Sequence, residues 1–193
     1  MNETLYKYRS LDNFKNFVDI ILKNRLYAAR YKDLNDPMEG QYYYNRGELR
    51  RNIREKLRDQ KEELRICSLT PMNNNELMWS HYANSQKGVA IGVLIDPLKN
   101  LIRDIQYDGI HYLRDNDYNN HTAMEILCHK LEVWSYEKEK RVFTSTKQFI
   151  DVKVKEVVLG RSMSNQDISL VSELVNSINP GITIIRAKDI MDN

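Results

Sequence analysis

The spacing of hydrophobic residues predicts a strand followed by a helix near the start of the chain. Apolar residues between Leu11 and Leu22 recur three and four positions apart, so they share one face of a helix that Ser10 would cap. Residues 5–9, directly before it, have the pattern of a strand. Charges dominate residues 48–63, but a thin apolar stripe among them predicts a helix with one solvent-facing side.

Shorter segments of both types follow along the rest of the chain. The strand pattern occurs at residues 26–29, 66–69, 88–93, 104–112, 140–146, 152–159 and 183–187. The helix pattern occurs at residues 76–83, 122–131 and 168–178. Because the two types do not alternate strictly, we predict an α+β fold with a mixed or mainly antiparallel sheet flanked by helices. No linker or repeat divides the pattern, so we expect a single domain over residues 1–193.

Composition and charge limit the classes of protein to which this chain can belong. The 193 residues are 41% hydrophobic, enough for one core, and 29 basic against 27 acidic residues exclude binding of nucleic acid through net charge alone. The start lacks a signal-peptide pattern and no apolar run approaches about 20 residues, so we expect a cytoplasmic protein with no membrane partner. Cys67 and Cys128 lie far apart in apolar segments, which predicts buried, reduced thiols.

The densest group of aromatic and polar residues is Trp79-Ser80-His81-Tyr82, in a predicted helix. Such a group is typical of a ligand site, with Trp79 and Tyr82 available for stacking. On a helix Tyr82 shares a face with Met78, whereas Trp79 and His81 point elsewhere, so only part of the group lines one pocket. Alternatively, Trp79 and Tyr82 are core aromatics and His81 is their hydrogen-bonded neighbour.

A second candidate lies in Trp134-Ser135-Tyr136-Glu137-Lys138-Glu139-Lys140-Arg141, which leads into an apolar strand. Alternate residues of an extended chain share a face, so Glu137, Glu139 and Arg141 would align there. Two carboxylates and a guanidinium on one face are able to converge on a ligand. The alternative is an edge strand whose charges form surface ion pairs and block aggregation.

Two further polar positions lie where predicted elements end. Arg9 and Ser10 lie between a strand and a helix, a position suited to phosphate. Asn35 and Glu39 offer an amide and a carboxylate around Pro37, although turn formation alone explains that composition. The four histidines lack metal-ligand spacing and no serine-hydrolase motif occurs, so we predict no metal site.

Five blocks of sequence together resemble a known family. They are LYKYRSLDNF, LYAARYKDLNDPMEG, ICSLT, LMWSHYANSQKGVAIGV and WSYEKEKRV, which lie between residues 5 and 143. In content and order they resemble the bacterial family called domain of unknown function 2971. Their layout is also similar to that of ADP-ribosyltransferases, in which an early strand carries Arg or His and a late strand carries Glu.

The resemblance implies that NAD is a substrate and assigns roles to particular residues. Arg9 would hold the pyrophosphate, although the best-known pattern has histidine there, and Ser68 or Thr70 in CSLT would replace the usual S-T-S hydroxyl. Glu137 or Glu139 would be the catalytic glutamate, and we prefer Glu139 because it is nearer the apolar strand. The full set implied to contact NAD is Arg9, Ser10, Asn35, Ser68, Thr70, Trp79, His81 and Tyr82.

The implied activity is transfer of ADP-ribose from NAD to RNA, DNA or protein. The same resemblance implies a toxin or phage-defence effector with an antitoxin as a further partner. Two other functions remain open at this point. A non-enzymatic ligand- or nucleic-acid-binding module is favoured by Trp79, Tyr82, Arg141 and the basic helix within residues 46–65. A nuclease that uses the carboxylates and His81 is the other.

Overall fold

A computed structural model describes residues 3–145 and 147–187 of the chain. It has the α+β fold predicted from the sequence, with parallel and antiparallel strand pairs and flanking helices. The last position of the predicted strand 140–146 lies outside the described residues. No helix in the described ranges is both long and apolar enough to span a bilayer.

The elements follow the hydrophobic pattern closely. The strands are β1 (Leu5–Arg9), β2 (Arg25–Tyr27), β3 (Tyr42–Tyr43), β4 (Arg65–Leu69), β5 (Val89–Leu94), β6 (Leu101–Asp104), β7 (His111–Tyr112), β8 (Lys140–Thr144), β9 (Phe149–Asp151), β10 (Lys153–Leu159) and β11 (Thr183–Arg186). The α-helices are α1 (Phe14–Lys23), α2 (Arg51–Glu63), α3 (Glu76–Tyr82), α4 (Thr122–Ile126) and α5 (Asn165–Ile178).

The chain divides into two compact units, each made of separate segments. The first unit comprises the described parts of residues 1–26, 69–99 and 151–193. Its sheet has the order β1-β5-β10-β11, in which β10 and β11 are parallel and the other pairs are antiparallel. Strand β5 is buried along nearly its whole length because it has a neighbour on both sides. The prediction of one domain over residues 1–193 stays a prediction.

The second unit comprises the described parts of residues 27–68 and 100–150. It contains the sheet β4-β8-β6 and the parallel pair β3-β7. One of its apolar clusters places α2 residues Ile53 and Leu57 against Ile126 of α4. Another surrounds Leu127 and Cys128, whose thiol is buried, as is that of Cys67. This unit therefore has a core of its own around β8 and α4.

Three local predictions were wrong for identifiable reasons. Helix α1 begins at Phe14, because the Ser10 hydroxyl bonds with Asp12 in a turn instead of capping the helix. The predicted strand 104–112 is interrupted because Gln106 pairs with the backbone of residues 128–130. The same pairing places His129 in a β-bridge, so α4 ends at Ile126 instead of continuing to residue 131.

Candidate active site

The segment that carries Glu137, Glu139 and Arg141 is not a continuous strand. A 3-10 helix covers Glu132–Glu137, Lys138 has a left-handed backbone with φ 43°, and β8 begins at Lys140. The predicted extended alignment was therefore wrong for Glu137. The edge-strand alternative was also wrong, because β8 is the middle strand of its sheet and Glu137, Glu139 and Arg141 are all buried.

Arg141 is the centre of the ionic contacts in the second unit. Its guanidinium is fully buried, and Nε donates to Oε1 of Glu139 at 2.7 Å. The two Nη atoms donate to the two carboxylate oxygens of Glu39 at 2.5 and 2.8 Å, and Nη1 also donates to the carbonyl of Leu127. Paired, planar contacts of this kind fix both the position and the orientation of the carboxylates.

Lys130 joins the same carboxylates from another side. Its Nζ lies 2.6 Å from Oε2 of Glu137, 3.1 Å from Oε2 of Glu139 and 3.8 Å from Oε1 of Glu39. It also lies 5.1 Å from the centroid of the Trp134 ring. We call these five ionisable residues the buried charge cluster: Glu39, Lys130, Glu137, Glu139 and Arg141. With every member charged, the cluster has one more negative than positive charge.

Glu139 is held firmly in its charged form. Burial by itself would raise its pKa, but Arg141 and Lys130 outweigh burial and lower the pKa to about 2. Burial likewise opposes the charge of Arg141, whose pKa is nevertheless raised by Glu139 and Glu39. Burial is also the largest influence on Lys130, yet Glu139 and Glu137 raise its pKa. Glu139, Arg141 and Lys130 therefore all remain charged at neutral pH.

The pKa of Glu39 is shifted in the opposite direction to that of Glu139. Burial raises its pKa above the usual range, and the attraction of Arg141 offsets only part of that rise. Glu39 therefore takes up a proton at a higher pH than Glu139 does. Its protonation would leave the buried charge cluster without net charge.

A buried lysine holds the loop that carries Glu39. Lys61 on α2 donates from Nζ to the carbonyl of Gly40 at 2.6 Å, and Nζ lies 5.2 and 5.0 Å from the ring centroids of Tyr31 and Tyr42. Gly40 has a φ of +71°, a conformation that favours glycine. Since Gly40 directly follows Glu39, the contact with Lys61 helps to fix Glu39 against Arg141.

We expect Lys61 to make stability rise with pH above about 8. Burial lowers the pKa of Lys61 to about 8, below the value near 10.4 of an unfolded chain. Between those values the unfolded state keeps a proton that the folded state has released, so stability increases with pH. Urea unfolding from about pH 7 to about pH 9.5 measures this slope, and Lys61→Met is expected to flatten it.

Lys56→Met is the matched control, because Lys56 lies exposed on the same helix. The control is expected to keep the rise of the unchanged protein. Equal slopes in the Lys61→Met variant and the unchanged protein would contradict the assigned role of Lys61.

Ser68 is the predicted middle hydroxyl that the fold brings to Glu139. Ser68 lies on β4, beside β8, and its hydroxyl donates a hydrogen bond that helps to lower the pKa of Glu139. Thr70, the alternative hydroxyl, is in the first unit, where its backbone pairs with that of Tyr6. Asn35 is exposed in the second unit, near the turn in which Asp36 accepts a hydrogen bond from the backbone of Met38.

The remaining predicted NAD contacts are in the first unit. Trp79 is fully buried, donates its indole N–H to the carbonyl of Asn73 at 2.9 Å, and packs edge-on against Tyr8. The core alternative therefore describes Trp79. His81 is exposed beside the half-buried Tyr82, with ring centroids 6.2 Å apart.

Arg9 and Ser10 lie where β1 ends, as expected, and both are half-buried. Arg9 is the residue of β1 paired in register with Val89 of β5. The roles of Arg9 and Ser10 in binding NAD stay predictions.

Sequence reasoning missed two members of the buried charge cluster. Glu39 was attributed to a turn, although it lies within one of the resemblance blocks, and its contact with Arg141 spans 102 residues of sequence. Lys130 had no sequence signal. In the described ranges, no three His, Cys, Asp or Glu side chains are grouped to hold a metal ion.

A family comparison supports the resemblance over part of the chain. Residues 78–142 match the model described as "Protein of unknown function (DUF2971)". This stretch contains β5 and the acidic residues of the WSYEKEKR segment, so the resemblance is confirmed there. No curated protein matches the chain in sequence.

A solved structure also resembles the fold. It is that of Thermus sp. 2.9 DarT in complex with ADP-ribosylated ssDNA, which is 8% identical, with a TM-score of 0.47. The similarity covers 97% of this chain and 95% of that chain. At this level of similarity, the chemistry of one chain does not carry over to the other.

Proposed function

We propose that this protein is an ADP-ribosyltransferase that uses NAD as its substrate. The observation that carries the proposal is the hydrogen bond between Ser68 and Glu139. These two residues come from different sequence blocks, and the resemblance implies Ser68 or Thr70 as the middle hydroxyl and Glu137 or Glu139 as the late glutamate. A shared site is a direct physical reason for two such distant residues to meet.

The electrostatics of the buried charge cluster fit the reaction. Cleavage of the bond between nicotinamide and ribose passes through a state with positive charge on the ribose, which a nearby carboxylate stabilises. Glu139 suits this role because its pKa of about 2 keeps it ionised at neutral pH. The excess negative charge of the whole cluster acts in the same direction.

The proposed transfer balances as a substitution at the ribose C1 atom. Nicotinamide leaves with the electron pair of its bond to C1, and a nucleophilic atom of the acceptor forms the new bond. Glu137 takes the proton that the acceptor loses. The NAD contacts that the resemblance implies for Arg9, Ser10, Asn35, Thr70, His81 and Tyr82 stay predictions, whereas Trp79 is fully buried.

Nicotinamide release by the purified protein tests the proposal directly. NAD is supplied together with single-stranded DNA, RNA or protein acceptors, and release is followed by chromatography. We expect Glu139→Gln to lower the rate about 100-fold because the neutral amide cannot stabilise the developing charge. Ser68→Ala should lower it about tenfold, since one hydrogen bond to the carboxylate is lost. Arg9→Ala should weaken NAD binding.

Glu132→Gln is the matched control, because Glu132 is an exposed carboxylate in the same 3-10 helix as Glu137. The control is expected to release nicotinamide at the rate of the unchanged protein. Circular dichroism establishes that each variant is folded. A folded Glu139→Gln variant with an undiminished rate would overturn the assignment of Glu139.

A binding module without turnover is the second candidate, and one observation favours it. Both oxygens of Glu139 already accept hydrogen bonds from Arg141, and Lys130 contacts one of them. A carboxylate in this arrangement can serve purely to hold the fold. Binding of NAD or nucleic acid by the purified protein, with no nicotinamide released for any acceptor, would favour this candidate. The conflict role, antitoxin partner and cytoplasmic location stay predictions.

A further inference from the structure

Two exposed tyrosines lie side by side on the second unit. Strands β3 and β7 are parallel, and their register pairs Tyr43 with Tyr112. Tyr43 is 60% exposed and Tyr112 is 41% exposed. Paired residues of neighbouring strands lie on the same face of a sheet, so the two rings share the outer face. The preceding residue of β3, Tyr42, packs instead against the apolar cluster that contains Leu49.

Arginines lie against the ring of Tyr112 and against the ring of Tyr44, which follows β3 and whose centroid is 5.9 Å from that of Tyr42. The Arg54 guanidinium lies 5.4 Å from the ring centroid of Tyr44, and its Nη1 donates to the Tyr44 hydroxyl at 3.0 Å. The Arg114 guanidinium lies 5.6 Å from the ring centroid of Tyr112. We call these residues the tyrosine–arginine face: Tyr43, Tyr44, Arg54, Tyr112 and Arg114.

The β3 side of this face is basic, whereas residues 104–117 around β7 contain one arginine, Arg114, and four acids, Asp104, Asp108, Asp115 and Asp117. Residues 42–58 contain Arg46, Arg50, Arg51, Arg54, Lys56 and Arg58, but only Glu48 and Glu55 as acids. Glu55 is already paired with Arg51 at 2.8 Å, and Glu48 accepts a hydrogen bond from the Tyr112 hydroxyl at 3.2 Å. The β3 side of the face therefore suits an anionic partner that also has flat apolar rings.

We propose that the tyrosine–arginine face binds single-stranded nucleic acid. Its bases stack on Tyr43 and Tyr112, while Arg54 and Arg114 bind the phosphates. A single strand is required because a duplex hides the faces of its bases within its own stack. The role of this strand as the ADP-ribose acceptor rests on the proposed function, whereas its binding does not.

Fluorescence anisotropy without NAD tests the binding alone. The probes are labelled single-stranded DNA and RNA of about 12 nucleotides, and a DNA duplex of the same length. We expect Tyr43→Ala and Tyr112→Ala each to weaken single-strand binding about tenfold, since stacking on one aromatic ring contributes that much. Arg54→Ala should weaken it for every sequence and lower its dependence on salt.

Glu48→Gln is expected to act in the opposite direction. The amide still accepts the hydrogen bond from Tyr112, but it no longer repels phosphate, so binding should become a few-fold tighter. The matched controls are Tyr27→Ala, which removes a tyrosine that is 45% exposed and not part of the face, and Arg103→Ala, which removes an exposed arginine. Both controls are expected to bind like the unchanged protein.

Several results would overturn the proposal. They are unchanged affinity in both tyrosine variants, tighter binding of the duplex than of either single strand, and binding of a protein partner alone. If an alanine variant fails to fold, Tyr43→Leu replaces it as the test of stacking. Leucine keeps the bulk of the side chain without an aromatic ring, so this variant should still weaken binding of the single strand. Binding of single-stranded nucleic acid without nicotinamide release would contradict the proposed transferase function. It would still support the proposal for the tyrosine–arginine face.

Discussion

Replacing Arg141 with methionine is expected to lower the free energy of unfolding by about 3–5 kcal/mol. Methionine fills much of the same volume but leaves Glu39 and Glu139 buried without the guanidinium that bridges them. Lys130 is then the only cation that remains in the buried charge cluster. The cost comes from the unpaired buried carboxylates more than from the lost contacts themselves. Urea unfolding at neutral pH measures the change.

Arg103→Met is the matched control for this prediction. Arg103 lies opposite Arg141 in the register of β6 and β8, but it is exposed, so its replacement should change stability by less than about 0.5 kcal/mol. Adding Glu39→Gln to Arg141→Met removes one of the stranded charges and should recover part of the loss. An Arg141→Met protein as stable as the control would show that the cluster does not stabilise the fold.

Replacing Trp79 with alanine is expected to cost a similar amount, about 3–5 kcal/mol. The substitution leaves a large cavity beside Tyr8 and removes the indole N–H that satisfies the carbonyl of Asn73. Trp79→Phe keeps most of the packing and loses only the donor, so its cost should be clearly smaller. Thermal or urea unfolding of the two variants distinguishes the contributions of volume and hydrogen bonding.

Leu98→Ala is the control for Trp79, because Leu98 belongs to the same unit and is 95% exposed. Its replacement should leave stability nearly unchanged. A stable Trp79→Ala protein that fails to bind NAD would contradict the core role of Trp79 and support stacking on the ligand.

The elements that the sequence predicted well are those whose pattern is local. The strand at residues 5–9 coincides with β1, and the helix predicted at 76–83 differs from α3 by a single residue. Their apolar spacing is sufficient to define them. The strand predicted at residues 104–112 failed because the competing partner of Gln106 lies near His129, more than twenty residues away. A pairing between segments so far apart leaves no local pattern in the sequence.

The candidate site was predicted in part, and partly for the wrong reason. Glu137, Glu139 and Arg141 were expected to align along an extended chain, but a 3-10 helix and the left-handed Lys138 separate Glu137 from β8. Lys130 brings the two glutamates together instead. A contact between residues far apart in sequence, such as that of Glu39 with Arg141, depends on the completed fold and has no periodic signature.

The segmented first unit has a consequence for synthesis on the ribosome. All segments of the second unit, residues 27–68 and 100–150, emerge before β10, which pairs with β5 in the sheet of the first unit. Until then β5, with the apolar sequence VAIGVL, has β1 as its sheet neighbour and lacks the one on its other side. An uncovered apolar strand edge is a template for misassembly, so nascent chains are most vulnerable to aggregation in this interval.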